Sequence, residues 1–364
     1  TAAVAAAGGP NMAPIWKLLR SSQDDVAWNP ATRSALRSPL ANRQWTQERG
    51  HKAGWFEPSG AAMTHCIPGA PVGNLHHRIW RCQSHETKRN RMAPPELKDA
   101  VSRGEGEGIA AYERALFPNV RHIVPHRSKE ATFEWVVQPS ELPVSGKVYT
   151  DGSRIDAEID QDVARLGWSV VVVEDDGRIV ASAKGIPPEW IVDIPGTEAW
   201  AILQGTGIAM PSSPYRVDCK PCIDAIHRGS RWATAGCRPL ARVFNLIFPS
   251  IDDSPPQGFV WMPAHASSGD VGTKRLGNGE LLTQLDRDAN DQADKLAKEG
   301  AASERVPAET RRLIKDHNAL VGSTAKWIGH VTFDANHCEL APYRDSSSCR
   351  VVANEAKKLR RLNK

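Results

Sequence analysis

Lys147-Val148-Tyr149-Thr150-Asp151-Gly152-Ser153 decides the fold of this chain. Val148, Tyr149 and Thr150 are residue types that fit a pleated, half-buried surface, and Gly152-Ser153 supplies turn chemistry, so the stretch predicts a strand ending at Asp151. Three more acids stand downstream at comparable junctions. Glu198 follows Pro195-Gly196-Thr197, where Thr197 suits a helix N-cap, and Ala199, Ile202, Leu203 and Thr206 recur at helical spacing, which puts Glu198 in a first turn. Asp218 ends the short strand Tyr215-Arg216-Val217 and precedes an amphipathic helix, a junction of the kind that carries sites in α/β sheets. Asp294 borders the helical stripe Ala289, Ala293, Leu296, Ala297.

Gathering four carboxylates is costly, since two charges about 4 Å apart repel by roughly 4 kcal/mol at an effective dielectric of about 20. Hard divalent cations remove the penalty, and an all-oxygen donor set suits Mg²⁺ or Mn²⁺ rather than zinc. Two such ions would stabilise both the attacking and the departing oxygen of a phosphodiester. Asp151, Glu198, Asp218 and Asp294 are therefore candidate ligands for hydrolysis or transfer at phosphate.

TDGS (150–153), TEAWAI (197–202), VDCKPCIDAI (217–226), FVWMPAH (259–265) and DRDANDQADKLAKEG (286–300), in that order, resemble the ribonuclease H family of type 1. The resemblance implies an α/β fold: a ribonuclease H-like five-stranded mixed sheet, its first three strands antiparallel, flanked by helices. It implies endonucleolytic cleavage of the RNA strand of an RNA/DNA hybrid with two Mg²⁺ or Mn²⁺ ions. Carried over by motif, Asp151 would bridge both ions, Glu198 and Asp218 would complete the ligand and water-positioning set, and Asp294 would hold the second ion. His265, in a stretch similar to the family's W-x-x-G-H, would assist proton transfer or product release. Leu166–Val173 and Arg178–Ala183 around an Asp/Gly-rich turn predict the hairpin of strands two and three. Arg238–Phe248 predicts a helix, and Gly258–Met262 the last strand.

The chain departs from the family pattern at several points. Residues 154–162 are acidic where a glycine-rich turn is usual, Ala264 replaces a glycine, and Cys219 stands where Ser or Thr is common. The 25 or so residues after His265 exceed what a simple loop needs. The sequence shows no basic insertion between Asp218 and the final strand. Two alternatives follow: a catalytically silent nucleic-acid-binding remnant, and strand transfer on the same fold.

The resemblance sets domain expectations of residues 1–145, 146–302 and 303–364. Lys/Arg against Asp/Glu number 18 to 13, 16 to 22 and 12 to 7 in these segments, giving net charges of +5, −6 and +5. An acidic core between basic flanks suits a polyanion, so single-stranded or duplex nucleic acid is a further expected partner. Residues 1–145 are rich in Ala and Pro and are expected to be weakly ordered, with short helices near 15–20, 96–102 and 109–116. The last segment is expected to be a helical, basic extension, helical over 303–321.

Within residues 65–85, Cys66, His77 and Cys82 have spacing seen in zinc knuckles, with His65, His76 or His85 as fourth ligand. This resembles the degenerate Cys/His motif of LINE-type (non-LTR) retrotransposon polyproteins, with Met63 in place of one cysteine. Together with Thr1 at the start of the sequence, it predicts a fragment of a retroelement polyprotein joined to a reverse transcriptase. Cys219-x-x-Cys222 has redox spacing, but it begins right after Asp218 and no second pair follows to complete a zinc site, so core packing is expected. Seven dispersed cysteines and no apolar run of ~20 residues predict a soluble, intracellular protein without a membrane partner. Of the twelve tryptophans, Trp168, Trp200 and Trp261 are expected in the core, and Trp45, Trp55, Trp80, Trp135, Trp232 and Trp327 are freer to stack on bases.

Overall fold

The computed structural model describes residues 4–5, 7–21, 28–44, 46, 48–49, 73–251 and 258–337. The chain divides into two compact units, Thr1–His122 with Arg312–Lys364, and Ile123–Arg311. The second unit thus starts earlier and ends later than the 146–302 expected from the motifs.

The first unit is helical: α1 (Ala13–Arg20), α2 (Pro30–Leu40), α3 (Glu86–Met92), α4 (Pro95–Ser102) and α5 (Ala110–Arg114), with most of the helix Ala308–His337. Its described residues form a core of their own, in which Ile15, Leu36, Ile79, Leu97, Val321 and Ile328 are buried together. The expectation of weak order over 1–145 is set against this core for the described residues alone. No single segment could reveal this core, because each short helix presents only a few apolar residues and the contacts close between chain ends. Asn29 caps α2 through the N–H groups of Ala31 and Thr32. Trp80 and Trp327 are buried in this core rather than free to stack on bases. The C-terminal helix begins after Pro307, at Ala308, and runs to His337, longer than the predicted 303–321.

The second unit is built on a six-stranded mixed sheet, one strand more than the five expected. Its strands are β1 (Glu134–Val137), β2 (Lys147–Ile155), β3 (Arg165–Val173), β4 (Ile179–Gly185), β5 (Tyr215–Val217) and β6 (Phe259–Trp261), in the order β1-β4-β3-β2-β5-β6. β2, β3 and β4 are antiparallel, β5 and β6 run parallel to β2, and the extra strand β1 pairs antiparallel with β4. β1 escapes sequence reading because its residues are almost all exposed, so no apolar alternation marks it. Phe133 and Trp135 fasten it, with the Phe133 ring 4.8 Å from Trp135 and 5.5 Å from Trp168. The β3–β4 hairpin closes over Glu174–Arg178 as predicted, through the Glu174 N–H to the Arg178 carbonyl at 3.0 Å.

Strand alternation divides the core in two. Val148, Trp168, Val170 and Val172 face one side, covered by α6 (Ile194–Thr206), α7 (Lys220–His227), α8 (Ser230–Ala233) and α9 (Ala241–Ile251). Tyr149, Val171 and Val173 face the other, covered by α10 (Gln284–Ser303). α10 lies directly on β3: a Cβ on Gly167 would meet Ala301 N at 2.0 Å, so only glycine admits this approach. Ser169 Oγ donates to the Ala293 carbonyl at 2.7 Å and fixes the helix's register. The segment after His265 is anchored by Ala266, Leu276 and Leu282 in the second core and by the Gly277 N–H to the Trp261 carbonyl at 2.8 Å. Among the described residues, no helix is long and apolar enough to cross a membrane.

Candidate metal centre

Asp151 lies mid-strand rather than at a strand end, because Gly152–Ile155 continue to pair with Arg165–Trp168 of β3. Its neighbour Gly152 faces α6 so closely that a Cβ there would meet Glu198 N at 2.6 Å. The glycine admits the helix, and its own N–H donates to the Glu198 carboxylate. α6 starts earlier than predicted: Asp193, not Thr197, is the N-cap, its carboxylate accepting from Gly196 N at 2.9 Å. Pro195 in the first turn favours that start, and Glu198 falls one turn inside the helix. Asp218 follows β5 as predicted, and its carbonyl accepts from Trp261 Nε1 at 3.0 Å.

These elements bring the carboxylates of Asp151, Glu198 and Asp218 within 4.8 Å of one another. Asp294 stands outside that trio, with its carboxylate on Lys298 Nζ at 2.6 Å, although it acts electrostatically on both Asp151 and Asp218. Asn290, one helical turn before Asp294 on α10, acts on the Asp218 carboxyl and draws it down. Sequence reading missed Asn290; its i, i+4 relation to Asp294 was the available signal.

The cluster is electrostatically frustrated. Burial first, then the Asp218 and Asp294 carboxylates, push Asp151 up to about 7. Burial, followed by Asp151 and Asp218, holds Glu198 well above the ordinary carboxylate range against the opposing Gly152 N–H. Burial also raises Asp218; the His265 charge and Asn290 oppose it while Asp294 adds to it. Two buried oxygens, Glu198 Oε2 and Asn290 Oδ1, have no protein partner. Clustered carboxylates with two orphaned oxygens form a donor set that fits a hard, partly hydrated divalent cation.

His265 is exposed and adopts a left-handed backbone at φ 47°, within electrostatic reach of Asp218. Cys66 and His65 of the expected zinc motif lie outside the described residues. His77 opens a π-helical turn, His77–Arg81, and the buried Cys82 closes it, donating its N–H to the His77 carbonyl at 2.8 Å. Among the described residues, the acidic trio is the one group with metal-ligand spacing.

No protein-family model and no curated protein matches the chain. Among solved structures it is similar to the ribonuclease H domain of prototype foamy virus, at 18% identity and a TM-score of 0.30, over 44% of this chain and 95% of that one. It is similar to the protease-reverse transcriptase of prototype foamy virus at 16% identity and a TM-score of 0.31, over 46% of this chain and 22% of that one. The foamy viral protease-reverse transcriptase in complex with RNA/DNA hybrid matches at 15% identity and a TM-score of 0.30, over 51% of this chain and 23% of that one. The chain thus spans 22% and 23% of the two longer proteins. Likeness at this level assigns no family.

Exposed arginines of the α7–α9 segment stack on two tryptophans, of which only Trp232 was among the expected stacking residues. Arg238 and Arg228 stack on Trp232 at 3.7 and 4.6 Å, and Arg242 stacks on Trp190 at 4.0 Å. All three arginines are exposed. They are scattered over some fifteen positions rather than forming a run, so no charge run in the sequence marks them.

Proposed function

We propose that the sheet unit is a metal-dependent ribonuclease that cleaves the RNA strand of RNA/DNA hybrids. The observation that carries this is the trio of buried Asp151 and Glu198 with half-buried Asp218, on which Asp294 acts electrostatically. A buried cluster of like charges is unfavourable by itself and is stable once cations enter it. The antiparallel β2–β3–β4 and parallel β5–β6 arrangement agrees with the sheet implied by the type 1 resemblance.

Asp151, Glu198 and Asp218 would hold Mg²⁺ or Mn²⁺, and Asp294 would complete a second position after releasing Lys298. Bound cations would supply charge neutralisation at the phosphate and an activated water. Asn290 orients Asp218, and His265 on its exposed loop would carry a proton to or from the departing oxygen. The arginines around Trp232 and Trp190 would neutralise phosphates and stack on bases or sugars, independently of sequence. The motif order and the Cys/His-bearing segment further support an origin in a LINE-type retroelement polyprotein with a reverse transcriptase.

The test is cleavage of a labelled RNA strand within an RNA/DNA hybrid in Mg²⁺ or Mn²⁺, beside duplex DNA and single-stranded RNA. Metal-dependent cleavage confined to the hybrid is the expected result, and its absence from folded protein contradicts the proposal. The Asp294–Lys298 ion pair favours a second reading, a silent hybrid-binding domain. Tight hybrid binding without turnover, unchanged in Lys298→Ala, would select it.

A further inference from the structure

Cys219 directly follows Asp218 in the chain, Cys222 stands three residues on, and the proposed chemistry uses neither. Cys219 is partly exposed at the N-cap of α7, and Cys222 is buried one turn on. The Cys222 N–H donates to the Cys219 carbonyl at 3.0 Å. Residues related as i and i+3 across a helical turn have Cα atoms about 5 Å apart, inside the range a disulfide spans. The pair also touches both carboxylate-bearing elements. Cys219 directly follows Asp218, and Cys222 Sγ donates at 3.4 Å to the carbonyl of Pro195, in the turn of α6 that leads to Glu198.

We propose that Cys219 and Cys222 form a reversible disulfide that lowers the metal affinity of the acidic centre and, with it, nuclease activity. The activity arm rests on the ribonuclease assignment; the metal-affinity arm does not. With hydrogen peroxide as oxidant, the Cys219 sulfur attacks one peroxide oxygen. An S–O bond forms, the O–O bond breaks, and the departing hydroxide leaves as water with the Cys219 proton. The Cys222 sulfur then attacks the Cys219 sulfenic sulfur; the S–S bond forms, the S–O bond breaks, and a second water leaves with the Cys222 proton. Two electrons pass from the thiols to peroxide, and a dithiol returns them. Oxidation removes the Cys222 S–H donor from the Pro195 carbonyl and draws Cys222 towards Cys219, so both Glu198 and Asp218 lose part of their support.

The experiment treats the full chain with hydrogen peroxide and then dithiothreitol, and follows three readouts: mapping of the peptide spanning residues 219–222, Mn²⁺ affinity, and hybrid cleavage. Expected are a 219–222 disulfide, about tenfold weaker Mn²⁺ binding and about tenfold slower cleavage, all reversed by dithiothreitol. All three responses should vanish in Cys219→Ser and in Cys222→Ala. Absence of that disulfide overturns the proposal, as does a disulfide that leaves Mn²⁺ affinity unchanged. If the reduced protein cleaves nothing, the ribonuclease assignment fails, and the Mn²⁺ readout still decides the switch. Should only one variant fold, the other carries the control.

Discussion

Asp151 and Asp156 stand on one short stretch of chain and are equally buried, each 6% exposed, yet their surroundings are opposite. Asp156 closes the end of β2 with a left-handed backbone at φ 59° and meets two guanidiniums, Arg305 at 2.8 Å and Arg311 at 3.2 Å. The Arg305 hydrogen bonds, ahead of the other contacts, pull its carboxyl below the ordinary range. Asp151 meets carboxylates instead and is pushed up to about 7. Burial alone therefore does not mark a functional acid; the sign of the charge beside it does. One aspartate is a clasp between the strand end and the chain after α10, the other a carboxylate set among carboxylates.

Exchanging the two acids should separate their roles. Asp151→Asn is expected to lower metal-dependent hybrid cleavage by about a thousandfold or more, since several kcal/mol of charge stabilisation is lost. The same change should raise the thermal unfolding midpoint of metal-free protein at pH 8, because it deletes a repelled charge. Asp156→Asn should do the reverse, costing about 1–2 kcal/mol of stability in denaturant titration, a figure moderated by the half-exposed Arg305, while leaving metal dependence intact.

The two acids also predict opposite pH branches in metal-free protein. The raised folded pKa of Asp151 favours its protonated form in the fold, so its contribution is fully present below the ordinary value of 3.8 and is lost as pH rises through about 7. The lowered pKa of Asp156 gives a contribution present above 3.8 and lost as pH falls through the depressed value. Thermal melts in chelator should decline on both sides of a mildly acidic optimum. Saturating Mg²⁺ should remove the neutral branch alone.

The smallest expected effect lies on the cationic surface. Trp232→Ala should weaken hybrid binding by about tenfold in a fluorescence titration, with kcat unchanged. Arg238→Ala should flatten the salt dependence of that binding by about one phosphate contact.

The acidic trio was legible in sequence because local chemistry marks the element that carries each carboxylate: β-branched residues before Asp151, a helical stripe after Glu198, a short strand before Asp218, although Asp151 stands mid-strand and Glu198 one turn inside its helix. The strands β2 to β6 were legible for the same reason. What stayed hidden depends on contacts distant in sequence. β1 is held by two aromatic rings rather than by alternation, the first unit's core joins helices from both chain ends, and the arginine–tryptophan stacks pair residues that no sequence pattern links. The start of α6 was misplaced because Thr197 and Asp193 are both good caps, and Pro195 favours the earlier one.

The most direct test of the contrast between the two acids is calorimetric titration of Mn²⁺ into the wild-type chain, Asp151→Asn and Asp156→Asn at pH 8. Binding in the wild type and in Asp156→Asn, lost in Asp151→Asn, is the predicted result. Equal binding in all three, or loss in Asp156→Asn alone, would contradict the assignment of the repelled carboxylates as the metal centre.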